Sequence, residues 1–511
     1  MTNVSILFPG KNKTEYSEKI EPPDFFIDLN LDQVVDAITS PKPEYNLKPI
    51  FYSPLMDIHA IMFRQEIFRD LEDDNILGCL KQFAQKMILA HRYFVLSGKL
   101  YYKYHKEGWL LEAAYEYCCA VIDLSNQLNK LTFSSQGLRG IKQYLAKYTV
   151  NPLFLTLFTT IKNIKAELEK IQYSVIIKGR YVYVRKYENE VDYSIEVKHT
   201  FEKFRQGKTS DYRVDLVIPS GMNHIEAQIL DFVSKLNPDV FNKLDYFYLE
   251  NTSFFDNTII AFDREIQFFI SYIDFMEKIR TKGLKFCFPA IISSDKKIHA
   301  NNSYDLALAN KYLYQGTEVV TNDFYLEGKE RIIVVSGPNQ GGKTTFARMF
   351  GQIHYLASLG CPIPGTDAQV FLYDNIFTHF EKEEDIRNLR GKLQDDLIRV
   401  HTIINMATSR SIVIMNEIFT STALKDAIFL SKEIINKIIK LDALCVCVSF
   451  IDELSIMSEQ TVSMVSSIVA ENPNLRSFKI LRKPADGLLH AIRIAEKHGL
   501  TYDAILGRIQ E

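Results

Sequence analysis

The stretch Val334 to Arg348, VVSGPNQGGKTTFAR, fits Gly-x-x-x-x-Gly-Lys-[Ser/Thr], the phosphate-binding loop that joins a buried strand to a helix. Gly337, Gly342, Lys343 and Thr344 hold the defining positions, with Pro338, Asn339, Gln340 and Gly341 between them and Thr345 after. The glycines let the backbone curl so that successive N–H groups point at an anion, and the helix N-terminus that follows adds partial positive charge. Lys343 is expected to reach the outer phosphates from a solvent-facing position, and the Thr344 hydroxyl to complete the shell of a Mg²⁺ ion. A chance match in a glycine-rich turn would not bring the right flanks with it. Here Arg331-Ile-Ile-Val-Val335 reads as a short, β-branched buried strand and Thr345 to Leu359 as a helix. The expected ligands are ATP and Mg²⁺.

Downstream, Ser411-Ile-Val-Ile-Met-Asn416-Glu417 reads as a buried strand that ends in two polar residues. A P-loop ATPase keeps its Walker B pair at such a strand end, the first residue holding Mg²⁺ and its waters, the second polarising the attacking water. The first position here is Asn416, whose amide oxygen accepts from a metal-bound water but brings no charge, so the expected Mg²⁺ affinity falls. Glu417 is the candidate general base and, with Lys343, the candidate catalytic pair, while Thr344 and Asn416 are the candidate metal ligands. Strands and helices alternate over residues 301–511, with Arg331 to Ser336, Ile412 to Met415 and Leu444 to Ser449 among the strands. That rhythm indicates a largely parallel sheet in an α/β P-loop domain.

A chain of 511 residues is too long for one core and should divide into several domains. Its 47% apolar and 24% charged content are those of ordinary globular protein. A net charge of −3 argues against a broadly basic, non-specific nucleic-acid binder, though a local basic track stays open. No run approaches the ~18 apolar residues of a bilayer span, and MTNVSILFPGKNK is too weakly apolar for a signal peptide, so a cytoplasmic protein without membrane contact is expected. The seven cysteines include Cys118 beside Cys119, and Cys445 and Cys447 on one face of a strand, with no Cys-x-x-Cys pair. They read as buried reduced thiols.

Residues 1–50 carry short signals broken by Pro22-Pro23 and Pro41-Lys-Pro43 and read as an arm or small cap. Residues 51–300 read as a helical region with a β insertion at about 175–220. Leu110, Ala114, Tyr117, Val121, Leu124, Leu128 and Leu131 recur at three- and four-residue steps, the mark of one buried helix face. Ser174-Val-Ile-Ile177 and Tyr181-Val-Tyr-Val184 flank Lys178-Gly-Arg180 as a hairpin, and Tyr212 to Ile218 is strand-like. Cations in this insertion are interleaved with acids, which reads as a solvated mixed-charge face. After Asn237-Pro238, a cap and a first-turn proline, helix returns to about Lys282. Within it Ile259, Phe262, Ile266, Phe269, Ile273 and Met276 form a coiled-coil-like seam, expected to pack within the chain.

Taken in order, these segments resemble the MutS proteins, the DNA mismatch-repair family related to ABC-type ATPases. SGPNQGGKTT from Ser336 matches the family's TGPNMGGKST, and Asn322 stands where it has an asparagine ahead of the P-loop strand. Phe377-Thr378 and Glu384-Asp385-Ile386 match its Phe-Thr and Asp-Asp-Leu. NEIFTSTALKDA from Asn416 stands for DEIGRGTST, and FKILRKPADGLLHAIRIAEKHGL from Phe478 is similar to its closing Tyr-Gly-x-x-x-Ala-x-x-x-Gly stretch. Upstream, the helices and β insertion resemble the family's core, lever and clamp in order and rough length. The resemblance implies a MutS-type ATPase domain at 301–511, a lever bearing a clamp, a homodimer, and contact with double-stranded or branched DNA.

The departures are as specific as the matches. Gly391-Lys392 falls where the family has a serine that reaches the partner's γ-phosphate, Phe450 after Ser449 replaces the histidine of its Thr-His switch, and Val319 replaces its adenine-stacking aromatic. No mismatch-reading domain is expected ahead of residue 50 and no nuclease-like domain after Glu511. The Phe-x-Glu of Phe275-Met-Glu277 lies in a predicted helix. Two functions are therefore in competition: an ATPase that drives a dimeric clamp on DNA without mismatch recognition, and a nucleotide-gated protein-interaction module with slow or no hydrolysis. The intact P-loop, Glu417 and the resemblance favour the first, whereas Asn416, Gly391, Phe450 and the acidic balance favour the second. The first is the expectation.

Overall fold

The computed structural model describes residues 4–10, 18–189, 221–313, 315–381, 391–469, 472–485, 500, 502 and 505. Its contacts divide the chain into two units. One comprises Met1–Asp73, Phe133–Arg139 and Arg264–Glu511, the other Asp74–Thr132 and Gly140–Asp263. The first is α/β and the second mainly helical.

In the α/β unit the strand before the P-loop, Ile332–Ser336, lies inside a six-stranded sheet between Leu444–Val448 and Thr461–Val469. Ile412–Asn416 and Ile376–His379 continue the sheet on the Leu444 side, and Asn472–Arg482 closes the other edge. All pairings are parallel except the last, Thr461–Val469 with Asn472–Arg482. The strands Ile332–Ser336 and Leu444–Val448 are buried at every position, as β-branched runs must be when both faces of a sheet are covered. Helices Lys392–Met406 and Leu424–Leu441 cover one face, packing Val400, Ile435 and Ile438 against Val334, Val413, Cys445 and Cys447. The thiols are thus core side chains, and all seven cysteines are free.

The P-loop helix, Lys343–Ser358, is buried nearly all round. Part of its cover comes from the residues that the sequence reads as an arm. Leu29 packs on Gly351, Asp28 O accepts from Arg348 Nε at 2.9 Å, and Leu29 O accepts from Gln352 Nε2 at 2.8 Å. Phe26 meets Tyr355 edge-on with ring centroids 5.1 Å apart. A smaller sheet of Ala290–Ile292, Asp367–Phe371, Ile298–Ser303 and Asn322–Leu326 completes this unit.

The helical unit contains two long helices, Asp74–Lys99 and Lys103–Asn129, joined by three residues. Leu110, Ala114, Tyr117, Val121, Leu124 and Leu128 form the buried face that the spacing indicates, while Leu131 falls beyond the helix end and is half-buried. The hairpin is present as Tyr173–Lys178 and Tyr181–Lys186, closing at Lys178 opposite Tyr181 with Gly179 at φ +60°. The strand-like Tyr212 to Ile218 lies outside the described residues. A helix the spacing did not reveal, His224–Leu236, opens with a capping box in which Asn223 accepts from the Glu226 N–H and Glu226 accepts from the Asn223 N–H. It is followed by Pro238–Glu250. The seam residues lie on Asn257–Arg280 and all six are buried, with Phe262 against Phe83 in this unit and Phe269 against Phe68 in the other. Among the described residues no helix is long and apolar enough to cross a membrane.

Candidate nucleotide site

The turn from Ser336 into the helix is set by backbone that only glycine adopts easily: Gly337 has φ +118° and Gly342 φ +90°. Gly341 is demanded by space, since a Cβ there would stand 2.2 Å from Ser466 Oγ. That hydroxyl donates to Gly341 O at 2.7 Å and pins the loop to the neighbouring strand. Gly342 is the N-cap of the helix, so the first free N–H groups open toward the loop.

Lys343 does not face solvent as the motif alone suggests. It is 5% exposed, and its Nζ donates to Gly337 O at 2.8 Å, Pro338 O at 3.3 Å and Asn339 Oδ1 at 3.4 Å. The physical reason is that an ammonium buried under the curled loop takes the carbonyls the curl turns inward. Burial holds its pKa below the ordinary lysine value, and the Glu417 carboxylate, 3.6 Å away, opposes the shift.

The Walker B strand is not adjacent to the P-loop strand; Leu444–Val448 lies between them. Parallel register nonetheless brings both C-terminal ends to one rim, where Thr344 Oγ1 donates to Asn416 Oδ1 at 2.9 Å. Glu417 follows in left-handed backbone, φ +53°, with its N–H bonded to Val448 O, a turn that aims its side chain into the same cavity. That cavity, of about 580 Å³, is lined at one end by Asn339 to Thr345 and Glu417. At the other end stand Tyr312, Val320 and Phe478. The two candidate metal ligands are therefore together beside the P-loop, and the candidate base joins them.

Other expected positions have other roles here. Asn322 begins a strand of the smaller sheet and stitches it to the far hairpin, donating to Phe478 O at 3.2 Å and accepting from the Ile480 N–H at 2.7 Å. Gly391 caps helix Lys392–Met406, and the Lys392 ammonium is held by Glu381. Phe450 is 50% exposed and does not line the cavity. Glu384-Asp385-Ile386 lies outside the described residues.

Sequence reasoning missed three residues. Phe478, 47% exposed and in left-handed backbone at φ +56°, offers an aromatic face at the cavity where Val319 does not. Tyr312 stands at the same end, and Asp28 accepts from Thr378 Oγ1 at 2.6 Å, tying the N-terminal segment to the strand Ile376–His379. Nothing in their local sequence marks them, because each acts only through residues far away in the chain.

Residues 333–505 match the family model MutS domain V. The DNA mismatch repair protein MutS of Petrotoga mobilis is 31% identical over 140 residues, 27% of this chain and 17% of the relative. That of Thermotoga maritima is 24% identical over 195 residues, 38% of this chain and 24% of the relative. That of Psychrobacter cryohalolentis is 28% identical over 180 residues, 34% of this chain and 17% of the relative. The similarity thus spans less than a quarter of each relative's length. The matched residues 333–505 take in the glycine-rich loop after Ile332–Ser336 and the strand Ile412–Asn416, and this part of the chain is a MutS domain V.

Proposed function

We propose that this chain is an ATPase that uses nucleotide binding and hydrolysis to drive a dimeric clamp on DNA. The observation that carries the reading is the meeting of Thr344, Asn416, Lys343 and Glu417 at one rim of a cavity large enough for a nucleotide. The P-loop residues Gly337 to Thr345 hold the phosphates through backbone N–H groups, and Lys343 exchanges loop carbonyls for phosphate oxygens. Phe478 and Tyr312 stand at the end of the cavity where a base would stack. The Thr344 hydroxyl and Asn416 amide, already within hydrogen-bond distance, fit a magnesium site that takes its remaining ligands from water and phosphate. When bound, Mg²⁺ neutralises charge on the phosphates. Glu417 orients the attacking water and accepts its proton.

For DNA, the support is the exposed hairpin, which carries Lys178, Arg180, Arg185 and Lys186 with Tyr181 and Tyr183. Such cations contact phosphates without reading sequence. Binding is without mismatch recognition through Phe-x-Glu, because its phenylalanine, Phe275, is 2% exposed inside helix Asn257–Arg280, and a wedge has to enter the base stack. The test is ATP turnover with and without double-stranded DNA, together with competition among perfect, single-mismatch and branched duplexes at fixed salt. DNA-stimulated turnover without mismatch preference is the expected result. Strong mismatch selectivity would remove the last part of the proposal. Turnover indifferent to all three, with no binding, would favour the nucleotide-gated protein-interaction module that the uncharged Asn416 makes the second reading.

A further inference from the structure

The hairpin at the sheet edge, Thr461–Val469 with Asn472–Arg482, is built against the P-loop. Ser466 bonds Gly341 O, and a Cβ on Gly337 would meet Ser466 Cβ at 3.0 Å. On the second strand, Phe478 lies 3.7 Å from the Cβ position of Gly342. Arg476 comes two residues before Phe478 and pairs in register with Ile468, two residues beyond Ser466. Both strands therefore place its backbone near the loop. Its Nη1 is buried without a hydrogen-bond partner, and Arg476 forms no ion pair among the described residues. A buried guanidinium donor left unpaired is costly and calls for an acceptor.

We propose that Arg476 is a phosphate-binding residue, its guanidinium donating to the terminal phosphates of the nucleotide on the P-loop, so that a cation comes to this site from the same chain. The proposal rests on the nucleotide-binding reading above. A planar guanidinium suits the role because its fork matches two phosphate oxygens, whereas the Lys343 ammonium acts as a point charge. Among the described residues of the strand Asn472–Arg482, Arg476 is the one whose side-chain donor is buried and unanswered.

The experiment is calorimetric titration of the full chain with ATP, ADP and AMP, for wild type, Arg476→Gln, Arg476→Lys and Lys343→Ala. Arg476→Gln should weaken ATP about tenfold, the size of one charge-assisted contact, with a smaller loss for ADP and none for AMP. Arg476→Lys should recover part of the loss, and unchanged AMP binding reports a folded site. If Arg476→Gln binds ATP within about twofold of wild type while Lys343→Ala loses it, the proposal is overturned and the nucleotide reading stands. An equal loss for all three nucleotides overturns it too, since Arg476 would then act on the base or the fold. A wild-type chain that binds no ATP overturns both.

Discussion

Thr344 Oγ1 and Asn416 Oδ1 are 2.9 Å apart, although the P-loop hydroxyl and the Walker B amide are 72 positions apart in the chain. The hydroxyl donates and the amide oxygen accepts, so the pair is satisfied with no carboxylate present. Asn416→Asp adds one negative charge at this point. If capture of Mg²⁺ limits turnover, half-maximal activity should be reached at roughly tenfold lower Mg²⁺. A Mg²⁺ titration of ATP hydrolysis checks this, and an unchanged midpoint would mean metal capture is not limiting.

Glu417→Gln keeps the side chain's shape and removes its basicity. Turnover should drop by about 100-fold or more while ATP affinity stays near wild type. The 3.6 Å contact of Glu417 with Lys343 adds a second readout. Losing that charge leaves the buried ammonium less stabilised, so the Lys343 pKa should fall further, visible by heteronuclear NMR of the lysine side chain. Wild-type turnover in the variant would place the base elsewhere.

Gly351 is enclosed where the P-loop helix passes the N-terminal segment. A Cβ there would lie 2.6 Å from Leu29 Cδ1 and 2.8 Å from Ile414 Cδ1. Alanine normally favours a helix interior, but here the clash should outweigh propensity and cost about 1–3 kcal/mol. Denaturant unfolding of Gly351→Ala checks the sign. Leu29→Ala, which opens the space, should reduce the additional loss when the two are combined.

Glu107, on helix Lys103–Asn129, is 4% exposed and stands beside Asp245 of helix Pro238–Glu250. Burial and the neighbouring Asp245 carboxylate raise its pKa above the ordinary 4.5, against Lys103 and Lys106. A raised acid binds more protons folded than unfolded, so its contribution falls as the pH climbs above 4.5 toward the folded value. Wild type should therefore lose amide-exchange protection along Lys103–Asn129 on moving from about pH 5 to about pH 8, after correction for intrinsic exchange, and Glu107→Gln should flatten that loss. Equal pH dependence in the two proteins would discount the carboxyl pair.

The P-loop, its strand and helix, the Walker B strand and the all-buried sheet were legible because each is a local signal. Glycines at Gly337 and Gly342, β-branched runs and helical spacing act through neighbours in the chain. The capping box of Asn223 and Glu226 is equally local, an Asn-x-x-Glu ahead of the helix His224–Leu236. By contrast, the burial of Lys343, the aromatic face of Phe478 and the approach of Arg476 depend on which strands become neighbours. Sequence period specifies that a segment is a strand and which faces are apolar, but strand order is chosen by the packing of both covered faces at once. The same holds for Asp28 and Leu29, whose carbonyls satisfy Arg348 and Gln352 more than 300 positions away. The chain's local chemistry determined that a glycine-rich turn joins a buried strand to a helix at Gly337 to Thr344; only the tertiary structure decided which distant side chains surround it, because those contacts are made by through-space geometry that no spacing along the chain encodes.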